Sequence, residues 1–382
     1  MVPGVRLGLC AVIPFFELTP TWNPYRREIE EALARVLESG QVIMGEEVSS
    51  FEEEFASYVG AQTSVAVGSG TAALTLALRA LGIGPNDEVL TVSNAGVPTV
   101  AAIRATGALP VLVDVEPGTM LMSHSLLEAA ISERTRAVLP VHLYGQPVDL
   151  DAFLAVASRH SLRLVEDCSH AHGAFYRGQH VGTFGDVGCF SFYPTKNLGA
   201  FGDGGICVTD DYAIADRLRG QRMYGYRGDS YSHEEGLNSR LDSIQAAILR
   251  VKLAHLDHAV SERRELAAYY REGLSDRGYR MQSPTEGGKH AYHLFVIRTP
   301  VRTETMAELR HAGVGVGTHY PLAIHEMAAY MFLDRPGELS VSEQVCKRVI
   351  SLPLYPGMPA DVPQRVLDAL PVLDEFAWEV TG

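Results

Sequence analysis

The chain has 382 residues, 46% of them hydrophobic and 20% charged, ordinary proportions for a soluble globular enzyme with one large α/β domain and a smaller one. Its formal net charge of −14 argues against a nucleic-acid backbone or an anionic membrane surface as partner, although a locally positive site can still take anionic small molecules. Five scattered cysteines (Cys10, Cys168, Cys189, Cys207, Cys346) with no CxxC pair predict reduced thiols in a cytoplasm and no zinc site; no stretch reaches the roughly eighteen apolar residues of a membrane helix.

Residues 1–16 are mildly apolar without a clean hydrophobic run or a cleavage site, and are expected to form an N-terminal arm, not a signal peptide. Ile29, Leu33, Val36 and Leu37 recur at helical spacing over 26–37, with a stop at Ser39-Gly40; a second helix is predicted over 48–58, before Gly60. Short apolar strands follow at 64–67, 88–92, 110–113, 137–141 and 163–165, with helices at 72–81, 98–106 and 125–131 between them. Strand–helix alternation with nearly all-apolar strands predicts an α/β fold built on a mostly parallel sheet covered on both faces. From Leu241 one long helical stretch runs through Ile248, Val251, Leu253 and Leu256 towards Tyr270. The expected division is an N-terminal arm and large domain over 1–255 and a small C-terminal α/β domain over 256–382.

Three motifs carry chemistry. Val67-Gly68-Ser69-Gly70-Thr71-Ala72-Ala73 reads as strand, small-residue turn and helix start, which exposes N–H groups for an anion. It also meets the loose dinucleotide fingerprint, but Asp87 and Glu88 precede the next strand instead of ending it, and simple helix-on-sheet packing is the plainer alternative. Leu164-Val165-Glu166-Asp167 ends a strand on two carboxylates where parallel sheets bind ligands; an aspartate there can pair with a protonated ring nitrogen or merely cap a helix. His172 reads as a satisfied structural histidine. Phe190-Ser191-Phe192-Tyr193-Pro194-Thr195-Lys196-Asn197-Leu198-Gly199 sets an amine among aromatics and glycines, where desolvation lowers its pKa as Schiff-base chemistry needs; a snorkelling lysine is the bland reading. Twenty-nine positions separate Asp167 from Lys196, room for a return strand pair. Anion turn, ring-nitrogen carboxylate and lysine in that order point to pyridoxal phosphate (PLP), with Lys196 carrying it.

With Ile13-Pro14-Phe15, Phe51-Glu52-x-x-Phe55, His142-Leu143-Tyr144-Gly145, Asn238-Ser239-Arg240-Leu241-Asp242, His319-Tyr320-Pro321 and Ser351-Leu352-Pro353-Leu354 added, the chain resembles the DegT/DnrJ/StrS family of PLP-dependent sugar aminotransferases nearly end to end. The resemblance implies PLP fold type I: a three-layer large domain with a mostly parallel mixed sheet and a smaller C-terminal α/β domain. It implies Lys196 as Schiff-base lysine and proton shuttle, Asp167 on the pyridine nitrogen, and His170 on the ring hydroxyl where glutamine is commoner. Gly70, Thr71 and Ser191 would take the cofactor phosphate. Asn238 would reach the phosphate of a neighbouring subunit, so the site would be shared within a homodimer. Arg227, Arg240, Lys289, His319 and Tyr320 are candidates for the substrate, and no metal is expected. Most relatives place an aromatic residue after the second strand to stack on the PLP ring; here Ser93-Asn94-Ala95-Gly96-Val97-Pro98 offers none, and Gly96 stands in its place.

The reaction the resemblance implies is transfer of an amino group from L-glutamate or L-glutamine to a nucleotide-linked keto-6-deoxysugar. Tyr231-Ser232-His233 and the run 238–242 look more like the branch of the family that aminates C3 than the one that aminates C4, and the loop 41–45 is a candidate cover for the sugar. A cyclitol (inosose) aminotransferase is the nearer competitor. A sugar dehydratase would have histidine in place of Lys196, and a non-catalytic PLP-binding regulator would need a partner-binding module that the sequence does not display.

Overall fold

A computed structural model describes residues 12–333, 335–373 and 378; most of the expected N-terminal arm, with Cys10, lies outside them. Helices α1 (Arg26–Ser39) and α2 (Glu46–Val59) precede β1 (Thr63–Val67). Then α3 (Gly70–Ala80), β2 (Glu88–Val92), α4 (Val97–Ala105), β3 (Leu109–Val113), α5 (Leu127–Ala130), β4 (Thr135–Val138), α6 (Leu150–His160) and β5 (Arg163–Asp167) alternate. A short hairpin of β6 (Phe175–Tyr176) and β7 (Gln179–His180) leads to β8 (Val187–Ser191), β9 (Gly205–Thr209) and α7 (Tyr212–Gln221). After α8 (Ser243–Ala254) and α9 (Leu256–Leu274) come β10 (Arg280–Met281), β11 (Gly288–Lys289), β12 (Phe295–Arg298), α10 (Arg302–His311), α11 (Ser340–Arg348), β13 (Val349–Leu352) and α12 (Val362–Ala369).

The strands and helices expected up to Asp167 are present with their ends shifted. The strand expected over 137–141 stops at Val138; Pro140, two residues on, has no N–H to give a ladder, and pairing resumes only as a bridge from Val141 to Asp167. The helix expected over 125–131 shrinks to α5 behind a 3-10 turn at His124–Leu126. The single helix expected from Leu241 to Tyr270 is two. It breaks at His255 (φ −108°, ψ 3°), whose ring stacks on Tyr25 at 3.7 Å and reaches Glu28 at 3.2 Å. The return strand pair expected between Asp167 and Lys196 is the β6–β7 hairpin, which joins β11 in a separate sheet, while β8 rejoins the main one.

The main sheet has seven strands in the order β1-β9-β8-β5-β4-β2-β3. β9 runs antiparallel to both β1 and β8, and the remaining pairs are parallel. Two reversals restore direction, so β1, β8, β5, β4 and β2 all end on one edge. Alternation divides the core: Val187 and Cys189 of β8 pack with Val65, Leu74 and Ile103, whereas Phe190 packs with Phe51, Phe55 and Leu249 on the opposite face. A three-stranded sheet, β10-β12-β13, has its own core of Tyr270, Phe295, Ile350 and Leu367, and β13 brings Ser351 towards the main sheet's edge. Among the described residues no helix is long and apolar enough to cross a membrane.

The same alternation separates the two carboxylates at the end of β5. Glu166 is fully buried and accepts from Gly182 N at 2.7 Å, from Phe184 N and Gly185 N at 2.9 Å each, and from His142 Nε2 at 3.0 Å. His142 Nδ1 accepts from Val148 N, so the neutral ring carries its proton on Nε2, towards the carboxylate. Burial alone would raise the Glu166 carboxyl, but the His142 contact and the backbone N–H groups outweigh it and hold it below the ordinary value. Glu166→Ala strips the acceptor from three backbone N–H groups and an imidazole. It is expected to cost about 3 kcal/mol or more in urea unfolding at fixed protein concentration; a loss under 1 kcal/mol would contradict this role.

Candidate active site

A cavity of about 390 Å³ opens at the edge where these strands end, and Gly70, Thr71, Asp167, His170, Ser191, Lys196, His319 and Tyr320 all line it. Each arrives on an element end. Gly70 and Thr71 begin α3, Asp167 and Ser191 close β5 and β8, Lys196 lies in the turn that follows, and His319 and Tyr320 come from the segment after α10. Ser69 caps α3 by accepting Ala72 N at 3.1 Å, while the helix's first N–H groups, those of Gly70 and Thr71, have no partner within the helix. A Cβ on Gly70 would lie 2.5 Å from Ser191 Cβ, so only glycine lets the serine sit beside the helix start. Backbone donors, a positive helix end and a hydroxyl together form an anion cradle.

Asp167 faces the cavity with both oxygens held: Thr99 Oγ1 donates to Oδ2 at 2.8 Å and Ser169 N to Oδ1 at 3.1 Å. Thr99 sits in the first turn of α4, three residues past Gly96. Lys196 is the lysine of the lining. Burial pushes its amine down to about 8, with the Asp167 charge opposing the shift. Four imidazoles surround it. Burial, followed by the Lys196 charge, pushes His172 well below its ordinary value, and does the same to His170; His293 is depressed by burial and by its neighbours His170 and Lys196. His319 falls to about 4 for the same two reasons. His170 Nδ1 accepts from Tyr144 N at 3.2 Å, which leaves Nε2–H as that ring's donor. His319 is fixed through Nδ1 to Ser351 Oγ at 2.8 Å and through its carbonyl, which accepts from Tyr144 Oη at 2.5 Å.

The remaining sequence-predicted residues lie outside this lining. Asn238 is exposed and bridges to Met223. Arg227 is paired with Asp216 at 3.0 Å and Glu234 at 3.1 Å. Lys289 is exposed on β11, over the ring of Phe175 at 5.8 Å. Arg240 lies beside the α3 turn, and its buried Nε has no hydrogen-bond partner among the described residues. The loop 41–45 is tied to the start of α8, with Ser243 N donating to Val42 O at 3.0 Å and Ile43 bridging Asp242, while Val42, Ile43 and Met44 point their side chains to solvent. Sequence reading missed Thr99, Tyr144 and His293. Nothing local in the sequence marks any of the three, and Thr99 meets Asp167 across 68 residues of chain.

Comparison with known proteins agrees with this geometry. A protein of Streptomyces venezuelae named dTDP-3-amino-3,4,6-trideoxy-alpha-D-glucose transaminase is 45% identical over 361 residues, 94% of this chain and 95% of that one. The crystal structure of S. venezuelae DesV in complex with a ketimine intermediate superposes with a TM-score of 0.92 at 44% identity, covering 94% of this chain and 98% of that chain. NtdA of Bacillus subtilis with bound cofactor PMP superposes with a TM-score of 0.87 at 28% identity, covering 94% and 84%. The profile of the DegT/DnrJ/EryC1/StrS aminotransferases matches residues 24–371, and the chain belongs to that family.

Proposed function

We propose that this aminotransferase uses PLP to move an amino group from L-glutamate or L-glutamine to C3 of a nucleotide-linked keto-6-deoxyhexose. The observation that carries the reading is the meeting, in one cavity, of a desolvated lysine, an anchored carboxylate and an anion cradle. The name of the S. venezuelae relative supports C3 and a dTDP-sugar, and the bound PMP of NtdA supports the cofactor.

The residues fit PLP. The Gly70 and Thr71 N–H groups, with the Ser191 hydroxyl that Gly70 lets sit beside them, suit its phosphate. Asp167 would hold the proton on the ring nitrogen, and His170 would offer Nε2–H to the ring hydroxyl. When bound, PLP supplies an electron sink for the carbon losing its proton. The protein supplies the rest. Thr99 and Ser169 keep both Asp167 oxygens aimed. Lys196 Nζ, weakened to about 8, can take a proton and return it near neutral pH, where a surface lysine would stay charged. His319 and Tyr320 add two rings to the cavity wall.

We also propose a homodimer with shared sites. Asn238 stands away from its own chain's cavity, on a stretch that exposes Tyr224, Tyr226, Tyr231 and Leu237, and Val42, Ile43 and Met44 are exposed as well. A second copy would cover these side chains and bring its cavity within reach of Asn238.

Incubation with PLP, L-glutamate and a dTDP-linked 3-keto-6-deoxyhexose is expected to give a product with the amine on C3 by NMR; amination at C4, or of an inosose alone, would defeat the assignment. Lys196→Ala should stay folded and lose about a thousandfold or more in turnover. If sites are shared, mixing inactive Lys196→Ala with inactive Asn238→Ala subunits should restore part of the activity, because one of the two mixed sites is intact; no recovery after subunit exchange would argue for sites built within one chain. The Lys196 amine is charged and inert below its pKa and free above it. PLP uptake by the apoprotein should therefore quicken with rising pH, with a midpoint near about 8. A midpoint near the ordinary lysine value would contradict the desolvated amine.

A further inference from the structure

Ser93, His325 and Glu343 form a hydrogen-bonded chain: Ser93 Oγ to His325 Nδ1 at 2.7 Å, and His325 Nε2 to Glu343 Oε1 at 3.1 Å. The order is that of a hydrolytic triad, but Ser93 is fully buried, so no substrate reaches it. The chain is a clamp. It ties the loop after β2 to the segment behind Tyr320, where Ile324 N donates to Ser93 O at 2.8 Å. The result is a close approach of Tyr320 to Gly96. A Cβ built on Gly96 would stand 2.9 Å from Tyr320 Oη and 3.1 Å from its Cζ. A side chain at 96 and the Tyr320 ring therefore compete for one space, on the wall of the cavity that also holds Asp167 and Lys196.

We propose that Tyr320 supplies the aromatic face for the cofactor ring that the resemblance places at position 96. The assignment rests on the PLP reading above, and it moves Tyr320 from the sugar to the cofactor. Other rings of the lining are less suited. Tyr193 is 54% exposed, and His293 is already packed on His170 at 4.4 Å. His319 meets Tyr320 edge-on, at 5.6 Å and 82°, which braces the phenol from one side. Burial and then the Asp167 charge push that phenol up to about 12, so it stays neutral through the working range. In this arrangement glycine at 96 is a requirement: the ring enters from the C-terminal part of the chain, and only a residue without a Cβ admits it.

The test is PLP dissociation from purified holoprotein, read by absorbance and by visible circular dichroism of the bound cofactor, with apoprotein melting as a folding control. Tyr320→Phe should keep wild-type PLP affinity within about twofold, and Tyr320→Leu should weaken it about tenfold and alter the dichroic band, the range expected for losing one aromatic contact. Gly96→Tyr alone should weaken PLP binding, because two rings then claim one space, whereas Gly96→Tyr combined with Tyr320→Ala should bind PLP more tightly than Tyr320→Leu. Wild-type affinity and dichroism in a folded Tyr320→Leu protein would overturn the assignment. So would a Gly96→Tyr protein that binds PLP as the unmutated one does. Failure of the unmutated protein to bind PLP at all would instead overturn the cofactor reading, and this inference with it.

Discussion

Removing an amine from water costs free energy unless its surroundings tolerate the uncharged form, and most of the architecture around Lys196 serves that end. The amine sits where β1, β5 and β8 stop, a placement that depends on β9 turning back through the sheet so that the end of β8 lies beside the start of α3. That junction is narrow. A Cβ on Gly205 would come within 2.4 Å of the Ser69 carbonyl, just as one on Gly70 would strike Ser191. The segment after α10 adds His319 and Tyr320 to the cavity wall, and the imidazoles around the amine are held neutral by the same burial.

Strand alternation assigns opposite tasks to neighbouring residues. Glu166 points into packed protein, where three backbone N–H groups and His142 satisfy it; Asp167 points the other way, into open space, with only enough bonds to fix its direction. The histidines repeat the theme. His142 and His170 each accept a backbone N–H at Nδ1, so each presents Nε2–H; one is spent on Glu166 and the other is left for the cavity. His142, Glu166 and Cys168 lie close enough together to suggest a metal cluster. The ring nitrogens and carboxylate oxygens of that group are already engaged, which makes it a buried polar network that stiffens the strand end.

The parallel strands were legible because each is a nearly unbroken apolar run bounded by turn residues, and the core of the site because its pieces sit at strand ends in a fixed order. Thr99, His293 and Tyr144 were not, since a hydroxyl or a ring looks the same in sequence whether or not a distant segment brings it a partner. The break at His255 depends on a stack with Tyr25 from far earlier in the chain, which helical periodicity cannot register. Arg227 illustrates the reverse: the sequence offers it as a candidate for the substrate, and the fold gives it two carboxylates of its own. The empty place at Gly96 was visible in the sequence, but what fills it comes from more than two hundred residues downstream.

On the proposed function, Lys196 and Asp167 together make a transaminating PLP site. Its most direct test is the visible absorbance of the purified protein with PLP, before and after L-glutamate. A yellow lysine-bound band that the donor converts to the near-ultraviolet band of the aminated cofactor is expected. A protein that shows no such band, or a band untouched by both L-glutamate and L-glutamine, would contradict it.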